Sequence, residues 1–168
     1  MRNGLPLAGT VFALVLATVV AAGAEERAID FEATTLDGGV FDARELEGKI
    51  VLLDFWAVWC PPCIAAMPAL SRLDRELGPR GFDVVGVAVH SGSPEDVAGF
   101  LEDKDVTYSV VVGDEDLTER FEVIGFPTYF LIDTDGRIFK KYVGEIKTMK
   151  VELERDIQNL LARRSTRP

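Results

Sequence analysis

A chain of 168 residues, 48% hydrophobic and 27% charged, has the size and mixture of one globular domain, long enough to bury a core without cross-links. Its formal charge of -10 gives a surface that repels phosphate backbones and anionic lipid. A nucleic-acid partner is therefore not expected.

Residues 1 to 24 form a segment distinct from the rest, with Arg2 as its charged side chain and an apolar run, VFALVLATVVAA, over residues 11 to 22. That length suits the ~7–15 residue apolar region of a secretory signal, and Ala22-Gly23-Ala24 supplies a small-x-small cleavage site before Glu25-Glu26. Counted from Leu5, the weakly apolar stretch approaches the ~20 residues that span a bilayer, so an uncleaved N-terminal anchor competes with a cleaved signal. Both readings export residues 25 to 168 as a single domain, periplasmic or otherwise extracytoplasmic, with no membrane contact beyond that anchor.

From Phe31 to Phe41 the chain reads as short extended pieces around the turn Leu36-Asp37-Gly38-Gly39. IVLLDFWA, residues 50 to 57, is a nearly continuous apolar run and predicts a strand buried on both faces. A helix is expected from Pro61 to Leu77, with Met67, Leu70, Leu73 and Leu77 inward and a kink at Pro68. FDVVGVAV, residues 82 to 89, predicts a second buried strand. Ser93-Pro94-Glu95-Asp96 opens a helix with a hydroxyl cap, a proline at the first turn and acids at the positive end. YSVVV, residues 108 to 112, a short helix from about Glu115 to Phe121, a hairpin around Thr134-Asp135-Gly136 and an amphipathic helix from Thr148 to Arg163 complete the chain. The fold class is α/β: a mixed sheet with helices on both faces.

Both cysteines fall in DFWAVWCPPC, residues 54 to 63. A disulfide between Cys60 and Cys63 closes so small a loop that the chain-entropy model gives it only ~2 kcal/mol, little use as a staple. Zinc needs about four ligands, and one histidine, His90, remains to help. His90 itself reads as a solvated loop residue after a strand. Copper(I), satisfied by thiolates alone, stays open, as does a partner-docking module with incidental thiols. Electron transfer explains more. Cys60 sits where a helix begins, so the dipole and free amides favour its thiolate. Cys63 lies one turn inside and can attack a mixed disulfide. Asp54, a lone acid on an apolar strand, is the candidate acceptor of the Cys63 proton. This reading requires an exposed Cys60 sulfur within bonding reach of Cys63.

DFWAVWCPPC resembles the active-site segment of the thioredoxin superfamily. Pro68 matches the proline of that family's helix, and Phe126-Pro127-Thr128 resembles its cis-proline loop. The export segment, and an inserted helix-strand unit between Val89 and Phe121, resemble the TlpA/ResA-like branch of exported thiol-disulfide oxidoreductases. The resemblance implies a thioredoxin-like fold with Cys60 as nucleophile and Cys63 as resolving thiol. It also implies Trp59, Pro61, Phe126 and Pro127 at the substrate surface and Asp54 where thioredoxins keep a buried acid. No metal or organic cofactor is implied beyond the redox-active Cys60–Cys63 pair. Proline has no N–H, so Pro127 leaves neighbouring backbone groups to pair with an extended client. Phe126 suits either client contact or core packing.

The dipeptide between the cysteines bears on direction. Pro61 and Pro62 remove two amides from the helix start, and no basic residue lies between the thiols. A potential nearer thioredoxin's ~-270 mV than the ~-120 mV of a strong oxidant is therefore expected, a gap of roughly 7 kcal/mol for two electrons. The family then implies a reductase fed by a membrane thiol-electron transporter of DsbD or CcdA type. Its clients would be disulfide-bearing proteins such as apocytochrome c or copper-delivery proteins. Many cytochrome-maturation members hold a glutamate three residues after the second cysteine; here that place is Ala66.

Overall fold

The computed structural model describes residues 27–165. The expected leader, residues 1 to 24, lies outside them. In chain order the elements are β1 (Glu32–Thr35), β2 (Val40–Asp42), β3 (Ile50–Trp56), α1 (Pro61–Leu77), β4 (Phe82–Ala88) and α2 (Pro94–Leu101). They continue with β5 (Ser109–Val112), α3 (Glu115–Arg120), β6 (Thr128–Ile132), β7 (Ile138–Val143) and α4 (Ile146–Ser165). Each expected strand and helix is present, displaced by at most two residues at its ends.

Among the described residues the strands form one sheet in the order β2-β1-β5-β4-β3-β6-β7. The centre is parallel, β3 with β4 and β4 with β5, and the other pairs are antiparallel. All seven residues of β3 are buried, as its unbroken apolar run requires when both faces are covered. On one face Ile50 and Leu52 pack with Leu70, Leu73 and Leu77 of α1 and with Met149, Leu153, Ile157 and Leu160 of α4. On the other, Val51, Leu53 and Phe55 pack with Leu117 and Phe121 at α3 and with Ile29 and Phe31. This is the thioredoxin-like arrangement, with α2 and β5 as the inserted unit.

Local chemistry fixes the ends. Ser93 accepts from the Asp96 amide at 3.2 Å while the Ser93 amide donates to the Asp96 carboxylate at 2.9 Å, closing a reciprocal cap on α2. Pro68 lies inside α1 with its ring exposed, and the helix continues past it to Leu77. The consequence for function is that β3 and β4, parallel and adjacent, deliver their C-terminal loops to the same edge. In open α/β sheets that edge is where ligands bind.

Candidate functional site

The loop after β3 leads directly into α1, and Cys60 is the residue that caps it. Pro61 and Pro62 occupy the first two helical positions, so the first amide available to the Cys60 sulfur is that of Cys63, which donates to it at 3.3 Å. The Cys60 carbonyl accepts from the amides of Cys63 and Ile64, both at 3.1 Å. The two sulfurs are joined as a disulfide, with an S–S distance of 2.02 Å. Bonding reach is therefore met.

Exposure differs from the expectation. Cys60 is only 4% exposed, and Cys63 is buried. The physical reason is that Cys60 packs into the cluster of Trp56, Ala57, Met67, Ala88 and Val97, and it also lines a cavity of about 480 Å³. Trp59, Pro61, Pro62, Ile124 and Phe126 line that cavity, and so does His90. Trp59 is 60% exposed, and its indole N–H donates to the His90 carbonyl at 3.0 Å. Its ring meets Phe126 edge to face, with centroids 5.7 Å apart, and the His90 ring tilts against Phe126 at 6.2 Å. A second tie holds the two loops together. Ser91 Oγ accepts from the Val58 amide at 3.1 Å and donates to the Val89 carbonyl at 2.8 Å.

Phe126 packs against the core that holds the cysteines and also lines the cavity. The Phe126–Pro127 bond is cis. Pro127 is buried and is not among the cavity's lining residues; its carbonyl accepts from the Gly144 amide at 3.0 Å. Ala66 is buried with Leu70 and Leu73 and brings no proton-handling group.

Asp54 lies on β3 six residues before Cys60, with no exposure, and neither carboxylate oxygen has a hydrogen-bond partner. Burial alone pushes its acid up to about 8. Its register neighbours are Gly86 on β4 and Tyr129 on β6. The hydroxyls of Tyr129 and Tyr108 and the indole N–H of Trp56 are likewise buried without partners. Burial raises both phenols above their ordinary range, and the Asp54 charge raises them further, which places both near that carboxyl. Gly86 is what admits this packing: a Cβ there would stand 3.1 Å from Trp56 Nε1 and 3.1 Å from Tyr108 Cε2.

His90 is the exposed loop residue after a strand that the sequence implied, but it also lines this cavity; Tyr108 and Tyr129 were not singled out. A signal for His90 existed. It follows β4 by two residues, as Trp59 follows β3 by three, and parallel neighbours put such residues side by side. Nothing in the one-dimensional pattern marks the tyrosines as other than core.

The Redoxin family profile matches residues 22–161 of the chain. The chain is 31% identical over 134 residues to the thioredoxin-like protein YneN of Bacillus subtilis, covering 79% of this chain and 78% of that one. It is 34% identical over 134 residues to the thiol-disulfide oxidoreductase ResA of Halalkalibacterium halodurans, covering 78% and 74%. Among solved structures it is similar to a protein assigned as the thiol:disulfide interchange protein DsbE of Chlorobium tepidum. There the TM-score is 0.75 at 31% identity, over 81% of this chain and 96% of that one.

Proposed function

The chain belongs to the Redoxin family, in its TlpA/ResA-like branch of thiol-disulfide oxidoreductases, and on that premise we propose that it reduces disulfides of client proteins in the cell envelope. The observation that carries the direction is the Cys63 amide reaching the Cys60 sulfur behind two prolines that donate nothing. With so few donors aimed at it, the Cys60 thiolate is stabilised only moderately. The reduced form then keeps more reducing power than that of a strong oxidant.

In this reading the Cys60 thiolate attacks a client disulfide and forms a mixed disulfide, and one client thiolate departs. Cys63 gives its proton to Asp54 in its ionised form, whose share grows as pH rises toward about 8, and attacks the Cys60 sulfur. The second client thiol leaves, and the Cys60–Cys63 disulfide remains. Trp59, Pro61 and Phe126 bound the surface on which the client lies, and Pro127 sets the loop that carries Phe126. Electrons return through a membrane transporter of DsbD or CcdA type. Apocytochrome c and copper-delivery proteins are the client classes that fit an exported reductase, and residues 1 to 24 are its signal or anchor.

Two measurements test this. Titration of the Cys60–Cys63 pair against a glutathione series should give a reversible two-electron midpoint well below that of a strong oxidant. A Cys63→Ala variant should accumulate client mixed disulfides on Cys60, seen as reductant-sensitive bands and identified by mass. Stoichiometric copper(I) binding with no disulfide exchange would replace the reductase reading with that of a metal carrier.

A further inference from the structure

His90 is the chain's single histidine; it is exposed and is one of the residues lining the cavity that opens onto Cys60. Its backbone is held at a φ of 50°, in the left-handed region that a non-glycine residue adopts at a cost. Two contacts keep it there. The His90 carbonyl accepts the Trp59 indole N–H, and its ring rests against Phe126. Val89 just before it is tied by its amide to the Trp56 carbonyl at 3.0 Å. The loop is thus fixed to both walls of the cavity, with the His90 ring beside Phe126.

The chemistry of the lining gives that imidazole a task. Beyond Cys60, the other lining residues, Trp59, Pro61, Pro62, Val123, Ile124, Gly125 and Phe126, carry no titratable side chain. The first turn of α1 holds no acid, Asp96 is engaged in capping α2, and Lys141 donates to the Glu122 carbonyl. Attack by Cys60 on a disulfide expels an alkyl thiolate into this apolar space. Such an anion is a poor leaving group, because the thiol's pKa is ~8.5 and departure slows as that value rises. Imidazole is the side chain that exchanges a proton near neutral pH.

Resting on the reductase reading, we propose that His90 is a catalytic proton donor to the client sulfur that leaves when Cys60 attacks. The Cys60 thiolate forms a bond to one client sulfur, and the client S–S bond breaks. The electron pair goes to the departing sulfur, which takes the proton from the His90 imidazolium. Neutral His90 then regains a proton from water. The client this favours is an ordinary cystine with two alkyl thiols, presented on an apolar segment.

The test compares two probes at pH 7 in single-turnover reactions of the fully reduced chain, quenched with acid, alkylated and weighed by mass. Oxidised glutathione expels an alkyl thiolate that needs a proton. An aromatic disulfide expels a thiolate already stable at neutral pH. The variant is His90→Asn, because asparagine tolerates the left-handed backbone and cannot pass a proton on. Its ratio of glutathione rate to aromatic rate should fall about tenfold or more below the wild-type ratio. His90→Gln should show the same fall. An unchanged ratio in both variants, even with both rates lowered, would overturn the proposal and leave His90 a wall residue. A wild-type chain that reduces neither probe would instead overturn the reductase reading beneath it.

Discussion

Removing the carboxyl of Asp54 tests the buried acid through stability before any question of catalysis arises. Burial pushes this acid from 3.8 up to about 8 in the folded protein, with no hydrogen bond to its oxygens opposing the shift. In the unfolded chain the same group ionises near ~3.9. Between these values the native state holds a proton that the unfolded chain has released. Stability contributed by the neutral acid is therefore full at low pH, falls as pH rises, and levels off above about 8. At about 1.4 kcal/mol per unit, this one group should cost the native state about 4 kcal/mol between pH 5 and pH 9. Asp54→Asn keeps the size and polarity of the side chain and abolishes its titration. Urea unfolding of the oxidised wild type and variant at pH 5, 7 and 9 should show the wild type losing about 4 kcal/mol more than the variant across that range. The variant should be the more stable chain at pH 9. Equal slopes would mean that Asp54 is solvated or paired in solution, and the assignment of a buried proton acceptor would fall with it. The same substitution should slow release of a Cys60 mixed disulfide at pH 7 by about tenfold or more. It should also remove a rise in that rate centred near pH 8, in quench-flow measurements.

Two further substitutions probe the neighbours of the disulfide. Pro62→Ala restores an amide at the second helical position, where it can donate to the Cys60 sulfur as a cap. A charge-assisted bond of ~1.5–3 kcal/mol should lower the Cys60 thiol by about one to two units and raise the reduction potential by about 30–60 mV. Thiolate absorbance against pH and a glutathione titration would read these shifts, and unchanged values would show that proline does not set the potential. Gly86→Ala forces a Cβ against Trp56 Nε1 and Tyr108 Cε2 at 3.1 Å each, in a strand that is buried throughout its centre. It should cost about 1–3 kcal/mol in urea unfolding. A variant as stable as wild type would mean that the packing around Asp54 is looser than the geometry implies.

How far the sequence carried the fold follows from which residues held a single meaning. IVLLDFW suits a strand covered on both faces, and it is one. Ser93-Pro94-Glu95-Asp96 specified a helix start, and both hydrogen bonds of that cap lie within these four residues. The inward stripe Met149, Leu153, Ile157, Leu160 and Leu161 likewise identified the buried face of α4. Strand order was another matter. β1 reaches across to pair with β5, and no local pattern in EATT names so distant a partner.

At the site the division is similar. Cys60, Pro61, Pro62 and Cys63 are contiguous, so their positions at a helix start could be read from spacing alone. Asp54 was visible because an acid among IVLL and FWA has no inexpensive explanation. The accessible face of Cys60 was not, because exposure depends on Trp59, Phe126 and His90 arriving from three separate loops. His90 shows the limit most clearly. As a residue in a row it is a polar side chain after a strand, and such residues usually face water. Its position in the wall of the Cys60 cavity exists only because β3 and β4 run parallel and adjacent, and because its carbonyl holds the Trp59 ring. The disulfide at the start of α1 is therefore a property of four consecutive residues. The cavity that opens beside it is a property of the sheet, because its walls come from loops that only strand pairing brings together.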